Sequence, residues 1–236
     1  MADGSAMDPF RAVDAVVLDV LGTMVDEASG IRRALRRHLP GADEDEIGRL
    51  TARWQEVAGT AQTAVVDGRR GFARAAALDH EAAATVLAEG DAAVDRATVA
   101  GLVRAARLPD PWPDSADLLD RIARDRLVIG LSNAGLGQLA RLSAHAGLRW
   151  HLALSAEAAG TFKPDPAAYR LAVDAAGVAP ERVLMVAAHA WDLRGAARAG
   201  MRTAYVPRPV ADPPLSTDRF DLVVGSAAEL ADALAP

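Results

Sequence analysis

The strongest constraint on the fold is a set of short apolar runs that recur along the chain. They are "AVVLDV" at 15–20, "LVIGLSN" at 127–133, "VLMVAAH" at 183–189, "TAYVP" at 203–207 and "DLVVGS" at 221–226. None reads as strict apolar–polar alternation, so none fits a strand with one face in water. Alanine-rich segments with helical spacing fall between them, at Leu136–Ala146, Asp165–Ala176 and Asp192–Ala199. Strands that are apolar on both faces, alternating with helices, predict a parallel sheet covered on both sides, an α/β core of Rossmann-like type. In such a sheet the ligand sits beyond the carboxyl ends of the strands. The polar residues of these runs fall at those ends: Asp19, Ser132 with Asn133, and His189 with Asp192.

Residues 28–105 read differently. They show no clear strand, but helical patterns at Ile31–His38, Glu44–Thr63, Gly71–Leu78, Glu81–Leu87 and Arg96–Ala105. The expected organisation is a core from 11–27 and 106–236 with an all-helical insert over 28–105. The proline-rich "LPDPWPD" at 108–114 serves as the hinge back into the core. Residues 1–10 are set aside as disordered or partly a cloning remnant, with Met7 as an alternative start.

A length of 236 residues suits one large domain or a core with a smaller insert. The net charge is −6, and there is no basic tract, which argues against nucleic acid and anionic membranes as partners. The absence of cysteine excludes disulfides, thiol catalysis and cysteine metal sites, and fits a cytoplasmic protein. No apolar run reaches the roughly 18–20 residues of a membrane span, and the first ten residues lack the apolar stretch of a signal peptide. Abundant alanine and arginine with scarce lysine point to a GC-rich bacterial genome.

Four motifs then appear in order: "LDVLGT" at 18–23, "LSNAG" at 131–135, "FKPDPAAY" at 162–169 and "VAAHAWDLRGAARAGMRTAYV" at 186–206. Together the chain resembles the haloacid dehalogenase superfamily, with its helical insert where that superfamily carries a cap. The "AWD" within the last motif, and the lack of a second aspartate after Asp19, resemble the (S)-2-haloacid dehalogenase branch.

The resemblance implies a role for each residue. Asp19 is the nucleophile, a carboxylate that splits one hard displacement into two easier steps through an ester; the plainer alternative is a turn cap. Leu21 stands where superfamily phosphatases carry an aspartate that protonates the leaving alkoxide. Leucine cannot donate a proton, but a halide needs none, and an apolar residue suits a small organic substrate. Ala188 occupies the first acidic position of the phosphatase metal motif, so Asp19 and Asp192 alone offer few oxygen ligands and no Mg²⁺ or other cofactor is expected. Lys163 would keep Asp19 ionised and oriented. Ser132 and Asn133, with Thr23, would hold the substrate carboxylate, or cap the following helix. Asp192 would position the hydrolytic water, pair with Lys163, or cap its helix. His189 stands in place of an asparagine as a donor, acts as base for ester hydrolysis, or is structural.

The helical insert departs from the pattern. The branch has an arginine after a tryptophan in its first long cap helix, which cradles the halide; here Gln55 follows Trp54. Arg53 lies about 200° away around the helix and is not equivalent. Arg69 or Arg70 would have to substitute. Trp54, Trp112, Tyr169 and Trp191 would wall an apolar pocket, or be plain packing. The expected activity is metal-independent hydrolysis of a short 2-haloalkanoate, a small-molecule carboxylate, to the 2-hydroxy acid with inversion. The alternatives are a fold repurposed for another small molecule or for binding in a specialised pathway, and a phosphatase. Dimerisation, common in the resembled branch, is a further expectation.

Overall fold

A computed structural model describes residues 10, 12–210 and 212–235. In chain order the elements are β1 (Ala15–Asp19), β2 (Val25–Asp26), α1 (Glu27–His38), α2 (Glu44–Val66), α3 (Ala75–Glu89), α4 (Arg96–Ala106) and β3 (Asp110–Pro111). There follow α5 (Ser115–Ile122), β4 (Leu127–Ser132), α6 (Leu136–Ala146), β5 (Leu152–Ser155), α7 (Pro166–Ala176), β6 (Val183–Ala187), α8 (Ala190–Arg198), β7 (Arg202–Tyr205), β8 (Leu222–Val223) and α9 (Ala227–Ala233).

The α/β core is a parallel sheet in the order β5-β4-β1-β6-β7-β8. Strand β1 is buried throughout, and its period-two side chains divide between two cores. Val16 and Leu18 pack with Leu118 and Ile122 of α5, Leu139 and Leu142 of α6 and Leu230 of α9. Ala15 and Val17 pack on the other face with Tyr169 and Ala172 of α7 and Leu193 and Ala196 of α8. The chain builds outward from β1 in one direction through β4 and β5, then in the other through β6, β7 and β8. That makes the carboxyl end of β1, at Asp19, the switch point where such sheets open a crevice.

Between β2 and β3, which pair antiparallel as two sides of one neck, helices α1 to α4 enclose a core of their own, including Ile31, Leu35, Ile47, Leu50, Trp54, Leu87 and Leu102. Asp26, Asp43 and Asp95 cap α1, α2 and α4 by accepting backbone N–H bonds. The two helices expected at 71–78 and 81–87 are one, α3, preceded by irregular chain at 71–74. Neither Asp79 nor His80 breaks it: Asp79 meets Arg107 across the insert, and His80 Nδ1 lies 2.6 Å from the Ala76 carbonyl. The run at 221–226 yields only the two residues of β8. The readings of residues 1–9 as disordered or a cloning remnant, and of Met7 as a start, lie outside the described residues; Phe10 is buried in the core. No helix among the described residues is long and apolar enough to cross a membrane.

Candidate active site

The turn after β1 is set by Gly22, whose φ of +83° suits glycine. A Cβ there would also collide with the His189 ring. The turn brings Thr23 back over Asp19: its hydroxyl donates to Asp19 Oδ2 at 2.6 Å and accepts from the Ala188 N–H at 2.9 Å, tying the loop after β1 to the loop after β6.

Lys163, the sole lysine of the sequence, lies between the two aspartates. Its ammonium donates to Asp19 Oδ1 at 2.7 Å, Asp192 Oδ2 at 2.6 Å and the Leu131 carbonyl at 3.2 Å. All three of its protons are used. Asn133 holds the lysine backbone from both sides, accepting from the Lys163 N–H at 2.7 Å and donating to its carbonyl at 3.2 Å. Asp192 is completely buried and takes its other bond from the Tyr169 hydroxyl, at 2.7 Å to Oδ1. His189 Nδ1 lies 3.1 Å from Asp19 Oδ2.

Burial pushes the Asp19 carboxyl up, but the Lys163 charge and the His189 hydrogen bond outweigh it and hold the group well below the usual carboxylate range. Asp19 is therefore ionised. Burial pushes Lys163 and His189 down, and the facing carboxylates more than reverse this, favouring the ammonium and the imidazolium. Asp192 is raised by burial against the pull of Lys163.

A cavity of about 160 Å³ opens on Asp19, Lys163 and His189 and is walled by Leu21, Trp54, Gln55, Asn133 and Trp191 among others. The structure thus brings these expected residues together. Four others stand behind the wall. Thr23 and Ser132 are fully buried; Ser132 accepts from the Ala134 N–H at 3.1 Å, the capping alternative, so neither is a carboxylate receptor in this arrangement. Tyr169 is buried behind Asp192 rather than walling the pocket. Asp192 is the third residue of α8, not its cap, and it does not reach the cavity, so its geometry is that of a partner of Lys163 rather than a holder of water.

The substitute arginines are also overturned. Arg69 pairs with Asp67 and Arg70 with Glu81 on the exposed surface, and neither lines the cavity. Arg53 faces Glu89 and Glu56. Gln55 instead donates to Glu27 Oε2 at 2.9 Å. Glu27, Asp79, Gln62 and Gln138 complete the wall, none of them anticipated. Gln62 was accessible in principle, since 55, 58, 59 and 62 form one helical stripe; nothing in the local sequence marks Glu27 or Asp79. Burial raises both carboxyls, Asp79 to about 6 against the opposing charge of Arg107, 3.5 Å away.

A divalent cation does not fit this donor set. The ammonium of Lys163 already stands between the two aspartates, and among the described residues no three histidines or acids converge as metal ligands.

Comparison with known proteins agrees with the geometry. The family model of haloacid dehalogenase-like hydrolases matches residues 13–200. (S)-2-haloacid dehalogenase H-109 of Pseudomonas putida is 27% identical over 203 residues, covering 84% of this chain and 88% of that one. The defluorinating L-2-haloacid dehalogenase Rha0230 superposes with a TM-score of 0.85 at 30% identity, over 94% of this chain and 95% of that one. The L-2-haloacid dehalogenase from Xanthobacter autotrophicus, solved with chloropropionic acid covalently bound, gives 0.81 at 26% identity, over 93% and 97%. Two other curated relatives match over shorter stretches, and the chain spans 43% and 51% of their lengths.

Proposed function

Because the chain belongs to the haloacid dehalogenase-like hydrolases, we propose that it cleaves a carbon–halogen bond through an ester on Asp19, without a metal ion, and that its substrate is a 2-halo carboxylic acid. The observation that carries this reading is the Asp19 carboxylate, 2.7 Å from the Lys163 ammonium and facing the cavity, with Leu21, not an acid, two residues on.

The hydrogen bonds distinguish the two oxygens. A carboxylate has about four acceptor sites. Oδ2 takes bonds from Thr23 and His189, while Oδ1 takes one, from Lys163. Oδ1 keeps a free lone pair and is the nucleophile. It attacks the halogen-bearing carbon from the side opposite the halogen; the carbon–halogen pair leaves as halide and the configuration inverts. Water then adds to the Asp19 carbonyl carbon. Thr23 donates to the developing oxyanion on Oδ2, and the bond from that carbon to Oδ1 breaks, so Oδ1 departs as the product hydroxyl beside the Lys163 ammonium.

His189 changes character between the two steps. While Asp19 is charged the imidazolium is favoured; once Asp19 is an ester that charge is gone and the imidazole falls toward its ordinary pKa. It can then take the proton from the attacking water and pass it to Oδ1. The second proton goes to solvent as the Asp19 carboxylate reforms. Asp192 and Tyr169 act through Lys163 as positioning residues.

Halide release from (S)-2-chloropropionate and (S)-2-bromopropionate, with and without EDTA, tests the reading beside an Asp19→Asn control. Release that survives EDTA and vanishes in the variant is expected. Full release by the variant, or hydrolysis of p-nitrophenyl phosphate that depends on Mg²⁺ in place of dehalogenation, would contradict it.

A further inference from the structure

The cavity at Asp19 is small. At roughly 30 Å³ per water molecule, about 160 Å³ holds little more than a short acid. It does not end there. A second cavity of about 400 Å³ is lined by Gly59, Gln62, Asn133, Lys163 and Trp191, all of which also line the first, and continues along Val66 and Pro164. Taken together, the two adjoining spaces fall within the roughly 300–1,000 Å³ of preformed small-molecule sites and include Asp19.

The second space is a groove with an apolar floor. Its wall on the insert side is one face of α2, since residues 59, 62, 63, 66 and 67 recur at helical spacing. The first half of α2 buries Ile47, Leu50 and Trp54 in the insert core, whereas this later face is exposed or half-buried. Across it stand Pro164 and Trp191. Lys163 makes no polar demand on the groove, because its three protons are spent on Asp19, Asp192 and Leu131. Asn133 and Gln62 line both spaces and are hydrogen-bonded to each other, Nδ2 to Oε1 at 3.0 Å, so a tail that passes from one space to the other skirts or displaces this bond between core and insert.

We propose that the groove receives an apolar tail on the substrate, so that the chain acts on medium-chain 2-halo acids rather than on propionate derivatives. The halogen-bearing carbon sits at Asp19, and the alkyl chain runs past Gln62 between Val66 and Trp191. This rests on the reading of Asp19 as nucleophile, but the groove can be tested without the chemistry.

Two measurements on the full chain do so. The first is kcat/KM for halide release from 2-bromopropionate, 2-bromohexanoate and 2-bromooctanoate. Each buried methylene contributes about a threefold to fourfold gain, so a rise of at least tenfold from propionate to hexanoate is expected. In Val66→Glu that ratio collapses toward one; a ratio taken within one protein is insensitive to a loss of folded enzyme. The second is calorimetric binding of unhalogenated propionate, hexanoate and octanoate to the wild-type chain, where the same ladder is expected. A flat or falling series in both, with 2-bromopropionate turned over, overturns the tail and leaves the dehalogenase reading standing. A binding ladder with no halide released from any acid keeps the groove and sinks the dehalogenase chemistry. A flat ladder together with a change of oligomeric state in Val66→Glu assigns this face to a second copy of the chain and likewise overturns the tail.

Discussion

His189, Asp19, Lys163 and Asp192 form, in that order, a chain of alternating charge in which each group fixes the ionisation of its neighbour. Removing the central cation is therefore the most damaging single change. Lys163→Met leaves the buried Asp19 and Asp192 without their shared cation, which costs about 3–5 kcal/mol of stability. It also removes the donor beside the departing hydroxyl. Urea unfolding and halide release measured together are expected to show both losses. Thr23→Val keeps the size of the side chain but loses its bonds to Asp19 and Ala188; a fall in kcat of about 10²-fold is expected if it serves the oxyanion, against a near-native rate if it only packs.

Asp79 gives a pH signature of its own. Its carboxyl is raised from 3.8 to about 6, so between those values the folded chain binds more protons at this site than the unfolded one. Its contribution is most favourable at low pH and is lost as pH rises through that window, by on the order of 2–3 kcal/mol. Asp79→Asn is expected to remove this component. A difference in unfolding free energy between variant and wild type that stays constant from pH 4 to pH 7 would contradict it.

At the scale of elements, two close approaches hold the site in place. Gly195 in α8 lies under the Tyr169 ring, and a Cβ there would overlap the phenol oxygen. Gly195→Ala is thus expected to push Tyr169 off Asp192 and to lower kcat more than it lowers stability; kinetics beside thermal unfolding would show the split. Gly30 in α1 lies against the Ala106 carbonyl of α4, so Gly30→Ala strains the insert instead, by about 1–3 kcal/mol. What the sequence made legible follows the same scale. Strands β1, β4 and β6 were readable because both faces are buried and their cores are apolar, and β7 because three of its four residues are buried. Strand β5 was not, being a four-residue edge strand whose first residue is exposed. Helix α5 is short and follows the proline-rich hinge rather than an apolar run, and α9 has only seven residues. Asp19, Lys163 and His189 were readable because loop motifs mark them. Glu27 and Asp79 reach the cavity only through the packing of the insert on the core, which no local spacing encodes.

At the scale of the whole molecule, the site belongs to neither half alone. The core supplies Asp19, Lys163 and His189; α1, α2 and α3 supply Glu27, Trp54, Gln55 and Asp79. The core half keeps the motifs that carry Asp19, Lys163 and His189, while the insert half offers amides and carboxyls where the resembled branch has an arginine. The balance of charge at the cavity therefore differs from that pattern, and the proposed tail site along α2 would bind by apolar contact rather than through a second cation. A single turnover of a 2-bromo acid by excess enzyme in H₂¹⁸O, followed by mass analysis of the product and of the peptide containing Asp19, shows which carbon the water attacks. An unlabelled hydroxyl in the first product and ¹⁸O in the Asp19 carboxylate are expected. Label in the product hydroxyl with none in Asp19 would mean that water attacks the substrate carbon itself, and the Asp19 ester would have to be abandoned.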